Sequence, residues 1–281
     1  MKYSIITVNY NNKEGLRKTI ESVVSQTCRD YEFIVIDGAS TDGSAEVLKE
    51  YDSQITYWVS EPDKGVYFAM NKGIAQAKGD YLNFMNSGDC FYDQQVLEHL
   101  SAQTLSADII VGRDYHFNAA TGQGFATILP SRLSMLTFVH HTLPHQSTFF
   151  KRELFDSSPY DESLRLVADV KFYIQKICVE QCSVQFVDDI ICRREPDGMS
   201  NAYNERRLQE HSRIVSEVLP PAAIQDYETL YQLDQSTMYK LMCLLDNARS
   251  RKWLTYAIKI INRLSPAPKR LSQNASTSPS P

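Results

Sequence analysis

Along the first hundred residues the apolar positions change period repeatedly. Residues 3–8 and 31–36 are short apolar runs bounded by polar turn residues, the form of parallel strands buried on both faces. Between them Leu16, Ile20, Val23 and Val24 recur at helical spacing. A second helix follows Thr41-Asp42-Gly43-Ser44 and carries Val47 and Leu48. Residues 55–59 read as a third strand, and 66–77 as a helix with Val66, Met70 and Ile74 on one face. Residues 81–85 read as a fourth strand that stops at Asn86-Ser87-Gly88-Asp89. Strand and helix in alternation predict an α/β fold: a mostly parallel sheet, right-handed crossovers and helices on both faces.

The pattern beyond residue 106 is more mixed. Residues 108–112 and 146–150 look like strands, and 167–179 like a helix with Val170, Ile174 and Ile177 on its apolar face. Past residue 201 the pattern is helical throughout. Residues 267–281, rich in Pro, Ser and Ala, have little to bury and are expected to be disordered.

In doubly wound sheets ligands bind outside the carboxyl ends of the strands. Tyr10, Asp37, Asp63 and Asp89 each fall just after one of the four predicted strands. Loops are polar in any protein, so one such residue means little. Four segments delivering polar or acidic groups to one sheet edge point to a polar ligand.

Composition narrows the class. A 281-residue chain with 43% hydrophobic and 22% charged residues is long enough for one large core with an appendage. A net charge of -5 argues against a surface given over to nucleic acid. The six cysteines are scattered and none forms C-x-x-C, so they read as structural thiols in a reducing compartment. The chain enters its first strand at once, with no secretory signal pattern, and no apolar run nears the length of a bilayer span. The expected location is the cytoplasm.

Several stretches, in order and at matching spacing, resemble one family. These are Ile6-Thr7-Val8-Asn9-Tyr10-Asn11-Asn12, Ser25-Gln26-Thr27 and Ile36-Asp37-Gly38-Ala39-Ser40-Thr41-Asp42-Gly43-Ser44. Glu61-Pro62-Asp63-Lys64-Gly65-Val66-Tyr67, Ala69-Met70-Asn71-Lys72-Gly73-Ile74, and Gly79-Asp80-Tyr81 leading to Asn86-Ser87-Gly88-Asp89 complete the set. Together they look like the donor half of family 2 glycosyltransferases of the GT-A fold. The resemblance covers roughly residues 1–200, most specifically 3–95. It implies a GT-A catalytic domain over 1–200, with a nucleotide-sugar-binding half at 1–105 and an acceptor half at 106–200. A helical extension would occupy 201–266, ahead of the tail at 267–281.

The resemblance also implies roles. A UDP-sugar donor would lie on Thr7, Val8, Asn9, Tyr10, Asp37, Asp63, Asn71, Lys72, Asn86, Ser87, Gly88 and Asp89. Tyr10 would stack on the base, Asp37 would accept a base N–H, and Asp63 would face the base or ribose. A buried carboxylate beside a diphosphate needs a cation, and Mn2+ or Mg2+ bridging Asp89 and the phosphates would supply it. The family pattern has further acids where this chain has Asn86 and Gly88, and an Asp is common where it has Phe68. Asp169, after Tyr160-Asp161-Glu162-Ser163-Leu164, would be the general base of an inverting transfer, with Asp161 and Glu162 as fallbacks. Asp169 also suits a helix N-terminus, and the two roles are compatible. His145 would lie near the acceptor or the diphosphate, with His140 and His141 structural. Residues 193–201 read as a loop that closes over the donor.

Trp253, Ala257, Ile260, Ile261 and Leu264 share a helical face, flanked by Arg249, Arg251, Lys252, Lys259, Arg263, Lys269 and Arg270. Residues 249–270 thus have the form of a basic amphipathic helix lying on an anionic membrane. A polyprenyl-diphosphate-linked glycan acceptor, in surface polysaccharide synthesis on the inner face of the cell membrane, fits that location. The rivals are weaker. A nicotinamide dehydrogenase would need G-x-G-x-x-G where Asn9-Tyr10-Asn11-Asn12 stands, and no P-loop motif is present. A sugar nucleotidyltransferase would want a glycine-rich basic loop there. A non-catalytic nucleotide-sugar-binding module is the rival from another class.

Overall fold

The computed structural model describes residues 2–118, 121–130, 132–194, 205–235, 256, 259 and 260. The chain divides into two compact units, residues 1–224 and 225–281. The first is an α/β unit built on a nine-stranded sheet.

The first half follows the apolar periodicity closely. β1 (Tyr3–Asn9), β2 (Tyr31–Asp37), β3 (Tyr57–Ser60) and β4 (Tyr81–Phe84) pair in parallel in the order β3-β2-β1-β4. α1 (Lys13–Val24), α2 (Ser44–Glu50) and α3 (Val66–Gln76) are the crossovers. Leu16, Ile20 and Val23 of α1 are fully buried in a core with Tyr3, Ile5, Phe33 and Val35. Each such aliphatic side chain contributes about 1.5–3 kcal/mol on leaving water.

The second half departs from a parallel sheet. β5 (Cys90–Phe91) and α4 (Val96–Ala102) lead to β6 (Ile109–Asn118), which turns back through β7 (Gln123–Ala126). α5 (Met135–His140) and β8 (Thr148–Lys151) follow, and β9 (Val184–Arg194) enters the sheet between β6 and the edge strand β5. β8 runs antiparallel between β4 and β6, and β6 pairs with β9 in parallel. β6 outruns the apolar stretch at 108–112 because its polar half finds partners in β7 and β9. Residues 145–147 form a 3-10 turn rather than the start of a strand. Arg193 and Arg194 belong to β9 and not to a loop; residues 195–201 lie outside those described.

α6 (Ala168–Tyr173) continues directly as a π-helical stretch, Ile174–Val179. An aromatic cluster pins it: Phe172 stacks on Phe155 at 4.4 Å and tilts against Tyr160 at 5.4 Å, while Phe84 meets both Phe155 and Tyr160 edge-on. α7 (Glu205–Val218) braces the same region from outside. The Glu210 carboxylate accepts from the backbone N–H of Arg165 and Leu166, Glu217 pairs with Lys171 at 2.9 Å, and His211 Nε2 meets the Phe138 carbonyl at 2.9 Å. α7 thus belongs to the first unit. α8 (Pro221–Gln235) runs into the second, where Tyr256, Lys259 and Ile260 are also helical. The rest of the predicted basic helix and the tail at 267–281 lie outside the described residues. Among the described residues no helix is long and apolar enough to cross a membrane.

Candidate active site

The turn after β1 shows why the sequence reads Asn9-Tyr10-Asn11-Asn12. Asn9 Nδ2 donates to Asp37 Oδ1 at 2.7 Å, locking the tips of β1 and β2 together. Asn11 takes a left-handed φ of 47°, which asparagine tolerates, and its Oδ1 accepts from Thr41 N. Asn12 caps α1 by accepting from Gly15 N, and its Nδ2 donates to the Ser87 carbonyl. With its neighbours tied down, Tyr10 stands out at 69% exposure, a flat ring at the strand tips.

Asp63 faces that ring across Gly38. A methyl group on Gly38 would come within 2.8 Å of Asp63 Oδ2 and 3.1 Å of Tyr10 Cδ2, so a larger residue there would require both side chains to shift. Asp63 Oδ1 accepts from Gly65 N at 2.8 Å, which holds the carboxylate in place.

Asp37 does not match the role of direct base reader. It is fully buried, and its two oxygens accept from Asn9 Nδ2, Ser40 Oγ, Ser40 N and Ser60 Oγ. Four donors satisfy the carboxylate, so it organises three loops from below. Thr7 and Val8 are likewise buried supports: the Thr7 hydroxyl donates to Met85 O, and the Val8 carbonyl accepts from Ser87 N. Asn71 clamps the 160–162 segment, donating to Tyr160 O and Glu162 Oε1 and accepting from Tyr160 N. Lys72 pairs with Glu61 at 2.7 Å and lies over Phe68 at 4.9 Å, with Lys64 on that ring at 5.9 Å.

The turn at 86–89 is held against α1. The Ser87 hydroxyl donates to Asn12 O and Gly88 N to Thr19 Oγ1. Gly88 has φ 103°, a conformation that explains glycine where an acid is common in the family. Asp89 Oδ2 accepts from Gln146 Nε2 at 3.0 Å. Burial raises the Asp89 pKa, opposed first by the Arg194 charge and then by the Gln146 bond. Among the described residues no three His, Cys, Asp or Glu side chains converge on a possible metal position. A closed protein cage is therefore absent from them; Asp89 contributes a single carboxylate to this turn.

Asp169 lies in the first turn of α6, where the helix dipole favours a carboxylate. It is 9% exposed. Tyr67 OH donates to its Oδ1 at 2.8 Å, and His145 Nδ1 lies 3.3 Å from its Oδ2. The other ring nitrogen of His145, Nε2, is 3.2 Å from Asn86 Nδ2. One arrangement satisfies both contacts: Nδ1–H donates to Asp169, and Nε2 accepts from the Asn86 amide. Burial works to raise the Asp169 pKa, yet His145 and then Tyr67 outweigh it and hold the carboxyl below its ordinary value. The carboxylate thus adds stability above the unfolded-state pKa, which is lost as pH falls through the lower folded value. The fallback Asp161 is ion-paired with Lys171 at 2.9 Å; against burial, Lys171 and Ser163 hold its carboxyl at about 2. Glu162 is bound to Asn71.

A pH dependence follows. Were Asp169 the general base that the sequence suggests, its ionised form would be the active one and activity would fall as pH drops through its pKa. In His145→Ala burial is less opposed, and the acid limb of kcat/KM against pH should move to higher pH. A limb that stays put would separate His145 from Asp169 function.

Four site residues were not singled out in the sequence for these roles. Tyr67 ends one of the stretches that carry the resemblance and Gln146 follows His145, but the resemblance assigns neither a role; both are buried. Arg194 pairs with buried Asp114 at 3.1 Å, and Asp114 also accepts from Ser147 Oγ. Charges at 114 and 194 meet only through the β6–β9 pairing, which carries no local signal.

Comparison with known proteins agrees with this architecture. The family model described as Glycosyl transferase family 2 matches residues 4–159. A glycosyltransferase of Mycobacterium tuberculosis is 32% identical over 203 residues, covering 70% of this chain and 76% of that protein. A PGL/p-HBAD biosynthesis glycosyltransferase of Mycobacterium bovis is 30% identical over 219 residues, 73% of this chain and 82% of its own. Among solved structures, S. aureus TarS 1-349 with UDP-GlcNAc superposes with TM-score 0.64 at 16% identity, covering 93% of this chain and 81% of TarS 1-349. Mannosyltransferase PcManGT from Pyrobaculum calidifontis, with GDP-Man and Mn2+, gives 0.60 at 15% identity, covering 92% of this chain and 80% of its own. At such identities the structures show a shared GT-A fold and nothing finer. The family match spans over half of the chain, and two relatives reach 30% identity or more along most of it: this protein is a glycosyltransferase and belongs to glycosyl transferase family 2.

Proposed function

We propose that this chain transfers a sugar from a nucleoside diphosphate donor, a UDP-sugar, to a hydroxyl of a glycan acceptor with inversion. The observation that carries this reading is the Asn86–His145–Asp169 chain, which joins the turn after β4 to the first turn of α6. It sets a buried, ionised carboxylate against the segment that would hold the diphosphate. Tyr10 stacks on the base and Asp63 reads its edge, while Asn9 and Asp37 hold both loops. Ser87, Gly88 and Asp89 face the diphosphate. Asn71 and Lys72 support the sugar side from α3.

Asp169 removes the acceptor hydroxyl proton as that oxygen attacks the anomeric carbon. The bond from that carbon to the diphosphate oxygen breaks, and the nucleoside diphosphate leaves from the opposite face. A divalent ion, Mn2+ or Mg2+, would be held by Asp89 and would supply positive charge where the leaving group gains negative charge. Arg194, on the strand beside β5 and ion-paired with Asp114, adds to the same field.

UDP is favoured by the tyrosine–carboxylate frame and by the UDP and UDP-GlcNAc bound in the TarS structures. GDP is the competitor, since PcManGT binds GDP-Man. A thermal-shift panel of UDP, GDP, CMP and dTDP, with and without Mn2+, decides between them. UDP with Mn2+ should give the largest rise, about 2.7 kcal/mol of stabilisation at a hundredfold excess over Kd. No shift with any nucleotide would sink the assignment.

The acceptor is a polyprenyl-diphosphate-linked glycan of a surface polysaccharide, reached from the inner face of the cell membrane. The basic, amphipathic pattern of residues 249–270 supports that setting. Truncation after residue 248 should abolish binding to anionic vesicles while leaving nucleotide binding unchanged. Equal vesicle binding by the truncated chain would remove the membrane from the proposal.

A further inference from the structure

The register of the second half of the sheet sets four side chains in one row. Cys90 pairs with Arg193 and Phe91 with Cys192 in the antiparallel β5–β9 ladder, so the next step places Asp89 beside Arg194. Across β9 and β6, Arg194 pairs with His116, and across β6 and β7, His116 pairs with Phe125. Alternation along β6 puts His116 on the same face as Asp114, the residue that holds Arg194 in an ion pair at 3.1 Å. The row Asp89, Arg194, His116, Phe125 therefore runs from the diphosphate turn outward across the acceptor half. At a strand spacing of about 4.8 Å, Phe125 stands roughly 14 Å from Asp89.

The outer end of this row is aromatic. The His116 and Phe125 rings stack with centroids 5.2 Å apart and planes at 14°, and Phe125 keeps 67% of its surface exposed. A lone exposed phenylalanine is ordinary. This one is propped by a second ring and lies in line with a guanidinium that leads back to the site. A protein partner would need an apolar patch of several hundred square ångströms. Among the described residues of this segment only Ile128, also exposed, joins Phe125 as a large apolar side chain, and Gln123 and Gly124 add none. A single sugar ring needs only one flat face. Its polarised C–H groups suit the negative face of the aromatic ring, while its rim hydroxyls suit N–H donors such as those of histidine and arginine.

We propose that the His116–Phe125 stack is an acceptor platform, on which a pyranose ring remote from the reacting hydroxyl lies against Phe125. The assignment rests on the reading of this chain as a transferase with a glycan acceptor, and it adds the place where that glycan is recognised. The stack selects a carbohydrate acceptor over a bare lipid or protein hydroxyl, and it takes no part in donor binding.

Saturation-transfer NMR tests this with a probe set of methyl α- and β-hexopyranosides of the gluco, galacto and manno series. Wild type, Phe125→Ala and Phe125→Trp are compared with UDP and Mn2+ present, and the UDP thermal shift is read on the same samples. Wild type should saturate the C–H protons of at least one glycoside. Phe125→Ala should weaken that glycoside about tenfold, the size of one aromatic contact, and Phe125→Trp should retain it. Equal signals in wild type and Phe125→Ala overturn the platform, as does no glycoside signal in a wild type that shows a normal UDP shift. Loss of the UDP shift in wild type instead overturns the donor reading, so the two failures are distinguishable.

Discussion

Asp169→Asn should lower kcat by about 10²–10⁴-fold, the usual range for losing a positioned general base. The amide has the carboxylate's shape but no affinity for a proton at working pH. Two donors, Tyr67 OH and the His145 ring, now converge on the two oxygens of Asp169. In the variant one of them would face an NH2 group, costing about 1–3 kcal/mol locally. The aromatic packing of Phe172 on Phe155 holds α6 whatever occupies position 169, so the helix should stay in place. Donor affinity should be unchanged, because the side-chain partners of Asp169 are Tyr67 and His145 and not Tyr10 or Asp63. Steady-state transfer measured beside the UDP thermal shift reads both quantities. Near-normal turnover in this variant would remove Asp169 from the chemistry.

Asp37→Ala should produce the largest loss of stability among substitutions at the strand tips, about 3–5 kcal/mol. Asp37 is fully buried and accepts from Asn9, twice from Ser40 and from Ser60. Removing it leaves four donors around a small void, and water fills that void only in part. For a unit of this size the fall in Tm is of order 10 °C. Asp37→Asn keeps the volume and one acceptor oxygen and should lose less. A thermal melt followed by circular dichroism is sufficient, and a Tm within 2 °C of wild type for Asp37→Ala would show that the network is dispensable.

The sequence made the first half of the fold legible because its elements are local. β1, β2 and β4 are apolar runs, α1 and α3 carry regular apolar stripes, and each connection is short. The second half depends on pairings between distant strands. β9 is only half apolar and carries Asp188, Asp189, Arg193 and Arg194, so periodicity gives little sign of it. The site divides in the same way. Residue types at the strand tips mark where a ligand would sit, but not which atoms face it. Asp37 and Asp63 look equivalent along the chain, yet one is sealed beneath Ser40 and Ser60 and the other faces Tyr10. Asn86 looked like a lost metal ligand. Its amide meets His145, a contact across 59 positions that only the folded chain supplies.

The Glu210 brace bears on how this chain can be recombined with its relatives. The family match ends at residue 159, between His145 on one side and Asp169 on the other. A chimera spliced there would take the imidazole from one parent and the carboxylate from another, and would also sever the clamp from Asn71 to Tyr160. A splice at 200 would keep that pair but discard α7, whose Glu210 holds the backbone of Arg165 and Leu166 just ahead of α6. A seam after 224 inherits the pair, the clamp and the brace together, and it is the natural crossover point for exchanging the second unit among these enzymes.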